Sequence, residues 1–361
     1  MLRRTKLKLT ATLLVLVLSS SAFAVDETAP DQTLAEATTL NNQAVAGLSS
    51  HRYNEAIELL KRAIALRPNL VVAHYNLGCI YEVQKQMALA IEAFKETIQL
   101  SPAFTDAYYH LGVSYNRLER YADAMDSFKN VLRLSPDRAD ALTSLGFAYS
   151  KLGRDQDAVE SCKEAIRFKP DLAEAYNNLG VAYFNLGQLP EAIEVLEHAR
   201  RLEPDYPNVY GNLGHVYAQT GRVNEAIEIY HQGLKLEPDS SDVYNNLGMA
   251  YYLIGDYRQA NESLRRAIRI TPEMATAHYN LGSVLSKTGQ RTQAIDSYKQ
   301  ALLLKPDFAE AHCNLAVLYL ERGERALALE QYSLLKLIDY ELAQKLFAII
   351  YQDKVVNVGG R

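Results

Sequence analysis

The sequence predicts an all-α fold, a solenoid of stacked helical hairpins, and three observations carry that prediction. A unit of 34 residues recurs nine times without insertion, as 37–70, 71–104, 105–138, 139–172, 173–206, 207–240, 241–274, 275–308 and 309–342. Each unit holds two apolar stripes at helical spacing, one on either side of a break. Small residues and prolines return at fixed places within it.

The unit Ala173–Tyr206 serves for all. Tyr176, Leu179, Gly180, Ala182 and Tyr183 form its first stripe, and Ala192, Ile193, Leu196, Ala199 and Leu202 its second. Gly187 marks the turn between two helices, and Pro190 is expected at the first position of the second helix, where its missing N–H costs little. Pro204 stops that helix, because proline lacks the backbone donor and clashes with the preceding turn. Counted from the first residue of each unit, position 8 is Gly78, Gly112, Gly146, Gly180, Gly214, Gly248 and Gly282, with Ala44 and Ala316 in the outermost units. Position 20 is alanine throughout, from Ala56 to Ala328, and position 32 is proline from Pro68 to Pro306, giving way to Tyr340. Where two helices cross most closely, only a residue with little or no side chain fits. A lone hairpin buries too little apolar surface to stand by itself, so neighbouring units must stack.

This pattern resembles the tetratricopeptide repeat (TPR) family, whose signature W-x2-L-G-x2-Y, A-x3-F, P has a period of 34. In the fifth unit the matching residues are Tyr176, Leu179, Gly180, Tyr183, Ala192, Leu196 and Pro204. The chain has no tryptophan; the tryptophan slot, position 4, holds Tyr108, Tyr176, Tyr210 and Tyr244, with His74, His278, His312, Leu40 and Leu142 elsewhere. The resemblance implies a right-handed α-solenoid, the TPR superhelix, whose first helices line a concave groove through positions 2, 5, 6, 9 and 12 or 13.

Outside the repeats, Arg3, Arg4, Lys6 and Lys8 precede the apolar run Leu9–Leu18 and the small-x-small site Ala22-Phe23-Ala24. Residues 1–24 therefore read as a signal peptide cleaved after Ala24. The run is about half the ~20 apolar residues that a membrane span requires. Residues 25–36 form a polar lead-in, 341–352 an amphipathic capping helix in which Leu342, Leu346, Ile349 and Ile350 cover the last hairpin, and 353–361 a tail.

The chain carries 38 basic and 43 acidic residues, net −5, and loss of the leader takes away four cations and no acid, leaving −9. An acidic chain without a basic stripe argues against nucleic acid as a partner. Cys79, Cys162 and Cys313 lie in the second, fourth and ninth units, which do not touch in a solenoid, so no internal disulfide is expected. They read as small core residues, the alternative being an exposed thiol at Cys79 or Cys313. No metalloprotease, nucleophile-elbow, P-loop, dinucleotide-binding or C-x-x-C signature is present. The expectation is a protein that is not an enzyme and holds no cofactor or metal.

What remains is the groove. Position 6 reads Asn42, Asn76, His110, Ser144, Asn178, Asn212, Asn246, Asn280 and Asn314. An amide offers two donors and an acceptor, so a row of them can hold an extended backbone irrespective of its side chains. The row resembles the asparagine ladder of O-GlcNAc transferase TPR regions, with a break at His110 and Ser144. The other reading is a common family choice, merely solvated. Beside the row stand Tyr75, Tyr109 and Tyr279 at position 5, and Phe147 and Met249 at position 9, either as binding surface or as packing against the next unit. The candidate peptide-binding residues are thus Asn76, Asn178, Asn212, Asn246, Asn280, Asn314, Tyr75, Tyr109 and Tyr279. Position 2 carries Asp106, Asp140, Glu174, Asp242 and Glu310 and no base. That excludes the lysine clamp which grips acidic C-termini. The acids either favour a cationic partner or complement the helix dipole.

The expected function is an exported, periplasmic adaptor or scaffold binding extended segments of other proteins within a bacterial envelope assembly, secretion or export system. A self-assembling scaffold or homo-oligomer, and a substrate-binding module for a separate glycosyltransferase or protease, are the alternatives.

Overall fold

The computed structural model describes residues 32–48 and 51–355, which form nineteen α-helices and, among the described residues, no strand. The leader 1–24, residues 25–31 of the lead-in and residues 356–361 of the tail lie outside the described residues. The described residues divide into two compact regions, one ending at residue 187 and the other beginning at residue 188.

The first region contains α1 (Gln32–Leu48), α2 (Tyr53–Leu66), α3 (Val71–Val83), α4 (Met87–Leu100), α5 (Thr105–Arg117), α6 (Tyr121–Leu134), α7 (Ala139–Lys151), α8 (Asp155–Phe168) and α9 (Ala173–Asn185). The second contains α10 (Leu189–Leu202), α11 (Pro207–Gln219), α12 (Val223–Leu236), α13 (Ser241–Leu253), α14 (Tyr257–Ile270), α15 (Ala275–Lys287), α16 (Arg291–Leu304), α17 (Ala309–Glu321), α18 (Arg325–Ile338) and α19 (Tyr340–Val355). From Val71 to Ala309 every first helix starts on the first residue of its 34-residue unit. Three boundaries differ from the sequence expectation. Helix α1 begins at Gln32 rather than Ala37, because no glycine or proline interrupts the helix-forming residues before Ala37. Pro190 stands at the second helical position, where the backbone N–H is equally without a partner. Helix α19 follows α18 at once: Asp339 donates its N–H to the Leu335 carbonyl and its carboxylate accepts from the Leu342 N–H. Tyr340, standing where eight units have proline, continues into helix. The buried face of α19 is Ala343, Leu346 and Ile350; Ile349, expected to cover the last hairpin, is exposed.

Both regions pack their hairpins in the same way. A Cβ on Gly78 would lie 2.6 Å from the Phe94 ring, one on Gly112 2.7 Å from Phe128, and one on Gly248 2.6 Å from Leu264. Position 8 is therefore glycine because the large position-24 side chain of the second helix lies flat against its Cα. The position-20 alanines are buried at the same crossing, and the Ala158 and Ala260 carbonyls approach Gly146 and Gly248 to 3.3 Å of the added atom.

The turns are tied by polar contacts. At position 4, His74, His278 and His312 bond through Nε2 to the carbonyls of Pro68, Pro272 and Pro306 at 2.8, 2.9 and 3.0 Å. The Tyr210 hydroxyl donates to the Pro204 carbonyl at 2.7 Å. At these four positions the slot that the family fills with tryptophan holds a ring with a polar nitrogen or hydroxyl; Leu40 and Leu142 fill it with apolar bulk alone. At the hairpin turn, Arg120, Arg154 and Arg222 stack over Tyr115, Tyr149 and Tyr217 at 4.1–4.5 Å. The same guanidinium groups pair with Asp123, Asp157 and Glu225. The turn residue itself has positive φ, supplied by glycine from Gly153 to Gly323 but by His51, Lys85 and Glu119 in the first three hairpins.

Candidate binding face of the first helices

Positions 5 and 6 of the first helices form one line along each region, and the asparagines along it are engaged by their neighbours. In the first region the Asn76 amide donates to the Asn41 Oδ1 at 2.9 Å, and Asn178 donates to the Thr143 carbonyl at 3.4 Å. In the second, Asn280 donates to the Asn245 Oδ1 at 2.9 Å and Asn314 to the Tyr279 hydroxyl at 3.2 Å. Each contact spans 35 residues, from position 6 of one unit to position 5 of the unit before it. Within a helix, Asn177 donates to Asn178 at 3.3 Å and Asn245 to Asn246 at 3.4 Å.

The two regions differ in what this line leaves exposed. In the first, Tyr75 and Asn76 are fully buried, at 0% exposure, and Asn178 is 8% exposed. As placed, Tyr75 and Asn76 present no surface to a ligand, because the Tyr75 ring packs at 4.8 Å on Phe104 and 6.0 Å on Phe94. Burial pushes its phenol far above the usual range. Tyr109 is half-buried between the Phe128 ring, at 5.9 Å, and the Arg138 guanidinium, at 4.7 Å, and burial pushes its phenol up to about 12.

The break in the asparagine row is a buried ionic knot. His110 Nδ1 lies 2.9 Å from Glu82 Oε2, and Arg117 lies 3.0 Å from Glu82 Oε1, with the Glu82 side chain fully enclosed. Nearby, Arg138 joins the position-2 acids Asp106, at 2.5 Å, and Asp140, at 3.0 Å. Two acids that the sequence offers to a cationic partner are thus already paired inside the chain. Sequence reasoning missed Glu82, Arg117 and Arg138; the one signal was a histidine standing where asparagine is the rule.

In the second region Asn212, Asn246, Asn280, Asn314 and Tyr279 are half-buried. Tyr279 rests 4.7 Å from the Phe308 ring and 5.7 Å from Tyr298. The same helix faces bring up Met249 and Tyr252, half-buried, and Leu253, 60% exposed. Asp242 and Glu310 at position 2 are exposed here. His215, at position 9, is pulled below the usual imidazole range by burial.

The cysteines are reduced: Cys79 and Cys162 are buried and Cys313 half-buried. Burial pushes the Cys162 thiol up to about 12 and raises those of Cys79 and Cys313. Among the described residues, no three His, Cys, Asp or Glu side chains converge as a metal site would require, and no helix is long and apolar enough to cross a membrane.

Tetratricopeptide repeat family models match residues 71–104 and 309–332, and a TPR repeat model matches residues 49–85. The family model of the Cilia and flagella-associated protein 70 C-terminal domain matches residues 104–313. No curated protein sequence matches the chain. Among solved structures, a chain of the APC/C hetero-tetramer Cut9–Hcn1 is similar over 87% of this chain and 76% of its own, at 15% identity and a TM-score of 0.63. A tetratricopeptide repeat protein from Parabacteroides merdae is similar over 70% of this chain and 99% of its own, at 14% identity and a TM-score of 0.61. A thermophilic TPR protein of Thermus thermophilus is 27% identical over 50% of this chain and 99% of its own, with a TM-score of 0.47.

Proposed function

The chain belongs to the tetratricopeptide repeat family, and we propose that it is an adaptor that holds extended segments of other proteins on the first-helix face of residues 188–355. Proteins of this family bind other proteins, and those built as repeat scaffolds are in general not enzymes. The observation that carries the reading is the half-open line Asn212, Asn246, Asn280 and Asn314 beside the exposed Leu253. Asn246 accepts from Asn245 and Asn280 donates to Asn245, while Asn314 donates to the Tyr279 and Tyr298 hydroxyls. An amide's two N–H groups and oxygen give Asn246 and Asn280 capacity beyond that one bond for a ligand backbone. Met249, Tyr252 and Leu253 supply apolar contact without charge, which suits a partner recognised by its main chain and a few apolar side chains. In the first region the equivalent line is closed at Asn76, His110 and Asn178 by contacts within the chain.

The leader pattern of residues 1–24 supports export to the periplasm, where we place the adaptor within an envelope assembly, secretion or export system. The test of binding is a fluorescence-anisotropy screen of extended peptides against the full chain. We expect binding insensitive to salt and at least about tenfold weaker in Asn212→Ala/Asn246→Ala/Asn280→Ala, since two or three lost hydrogen bonds amount to roughly 1.5–4 kcal/mol. Binding unchanged by those substitutions would discard the groove reading. Self-association in sedimentation, equally unaffected, would replace it with a self-assembling scaffold.

A further inference from the structure

The second helices of residues 188–355 carry a feature that the groove reading does not use. Position 22 is an acid in every unit, from Glu58 to Glu330, and the other second helices of this region, α10, α12, α16 and α18, each carry a net charge of no more than one. Helix α14 keeps the acid, Glu262, but departs from that balance by carrying Arg258, Arg265, Arg266 and Arg269 against it. It separates two open cavities. One, of about 610 Å³, is bounded by α12, α13 and α14; the other, of about 640 Å³, by α14 and the turn at Thr288 and Gln290. Arg269 and Glu262 line both, forming the ridge between them.

Lys235 and Arg266 add to Arg269 in the first cavity, and Arg258 and Arg265 in the second, so five cations face one carboxylate lining the pair. Arg266 is partly neutralised by Asp239 at 3.0 Å, and Arg265 bonds to the Asn261 amide oxygen at 2.7 Å. The first cavity has a ring-lined floor: Tyr244, which lies under Arg266 at 5.9 Å, Leu247, and Tyr251, hydrogen-bonded to His231 at 2.9 Å. Both volumes fall within the roughly 300–1,000 Å³ of ligand-holding clefts.

We propose that α14 is a second docking site, on the second-helix side of the repeats, for an acidic protein segment that carries an aromatic or aliphatic anchor. The cations take the carboxylates, Arg269 serving both cavities from the ridge, and the Tyr244–Tyr251 floor takes the anchor. Charge complementarity names the partner: the chain as a whole is net −5, so a basic ridge of this kind selects a short acidic stretch at contact range while the remaining surface repels a long polyanion. A nucleic acid or an anionic bilayer would bring its many phosphates against the net-negative surface around the ridge as well as against the arginines, which a short acidic segment avoids.

The test uses the full chain and fluorescein-labelled twelve-residue Asp/Glu peptides, with and without one central phenylalanine. Saturable binding is expected, tighter for the phenylalanine peptide and weaker by about tenfold or more when salt is raised from about 50 to about 300 mM. Arg265→Glu/Arg269→Glu should lose at least about tenfold in affinity, and the exposed Arg258→Glu alone a measurable part of that. Arg133→Glu/Arg167→Glu makes the same charge change elsewhere and should leave binding in place, as should Asn246→Ala/Asn280→Ala, which separates this site from the groove. Circular dichroism checks that each variant is folded. Absence of saturable binding, equal loss in the Arg133/Arg167 control, or tighter binding of a charge-matched oligonucleotide or phosphatidylserine vesicle would each overturn the proposal.

Discussion

Residues 32–187 and 188–355 repeat one hairpin, yet they treat the same sequence position differently. In the first region three of the five position-6 side chains are buried, Asn76 fully, His110 against Glu82 and Asn178 at 8% exposure, and the partly exposed acids Asp106 and Asp140 share Arg138. In the second, the equivalent asparagines are half-exposed beside Leu253, and the position-2 acids Asp242 and Glu310 face solvent. The lesson is that a repeated residue need not repeat a role. The 35-residue amide contact exists in both regions and belongs to the architecture; what varies is whether neighbouring side chains leave any of the amide over.

The comparison holds only if the two cores are equivalent, so the largest expected effects are matched. Phe94→Ala and Leu264→Ala, which empty the same slot against Gly78 and Gly248, should each cost about 2–5 kcal/mol in denaturant unfolding. A loss under about 1 kcal/mol in one alone would show that the regions differ in their cores, since cavity costs of this kind are rarely that small. Next, Arg117→Ala should cost about 2 kcal/mol by leaving Glu82 enclosed with His110 alone, and Glu82→Gln in the same chain should recover part of it. A neutral Arg117→Ala would mean that the sealed face does not depend on its charges.

The sharpest contrast is between single asparagines. Asn76→Ala should destabilise by about 1–3 kcal/mol, because it strands the buried Asn41 oxygen, while Asn246→Ala should stay within about 0.5 kcal/mol. Equal losses at the two sites would erase the distinction drawn here. A smaller gain is expected from Lys85→Gly and Glu119→Gly, about 0.5–1 kcal/mol each in thermal unfolding, since both occupy left-handed backbone at φ 60° and 58°.

The smallest effect is in pH. Burial depresses the His215 imidazole, so the folded chain binds that proton less readily than the unfolded chain, and the stability it contributes is present above about pH 6.5 and lost as pH falls through the lower folded value. His215→Gln should flatten the fall of the melting temperature between about pH 7 and pH 5. An unchanged slope would assign that fall to other groups.

The helices were legible because glycine, alanine and proline at positions 8, 20 and 32 answer to backbone geometry, which a sequence exposes directly. The candidate face was half legible. That Asn246 and Asn280 line up on one side follows from the 34-residue period; that the amides of Asn178 and Asn280 are occupied depends on what stands at position 5 of the preceding unit, Thr143 or Asn245, and on contacts of 3.4 and 2.9 Å that no spacing encodes. Glu82 was hidden for a different reason. It reads as a surface acid, and only His110 and Arg117, 28 and 35 residues further on, explain why it can be enclosed.

The tie between successive first helices reaches one unit back and no further. Asn178 makes it with the main-chain oxygen of Thr143, a group that every residue possesses. Excision of Ser241–Met274 would therefore bring Asn280 opposite Gly211 and still offer it a carbonyl. A chain joined in this way can gain or shed a whole hairpin and heal across the cut, so the number of hairpins can be altered separately from the fold of each.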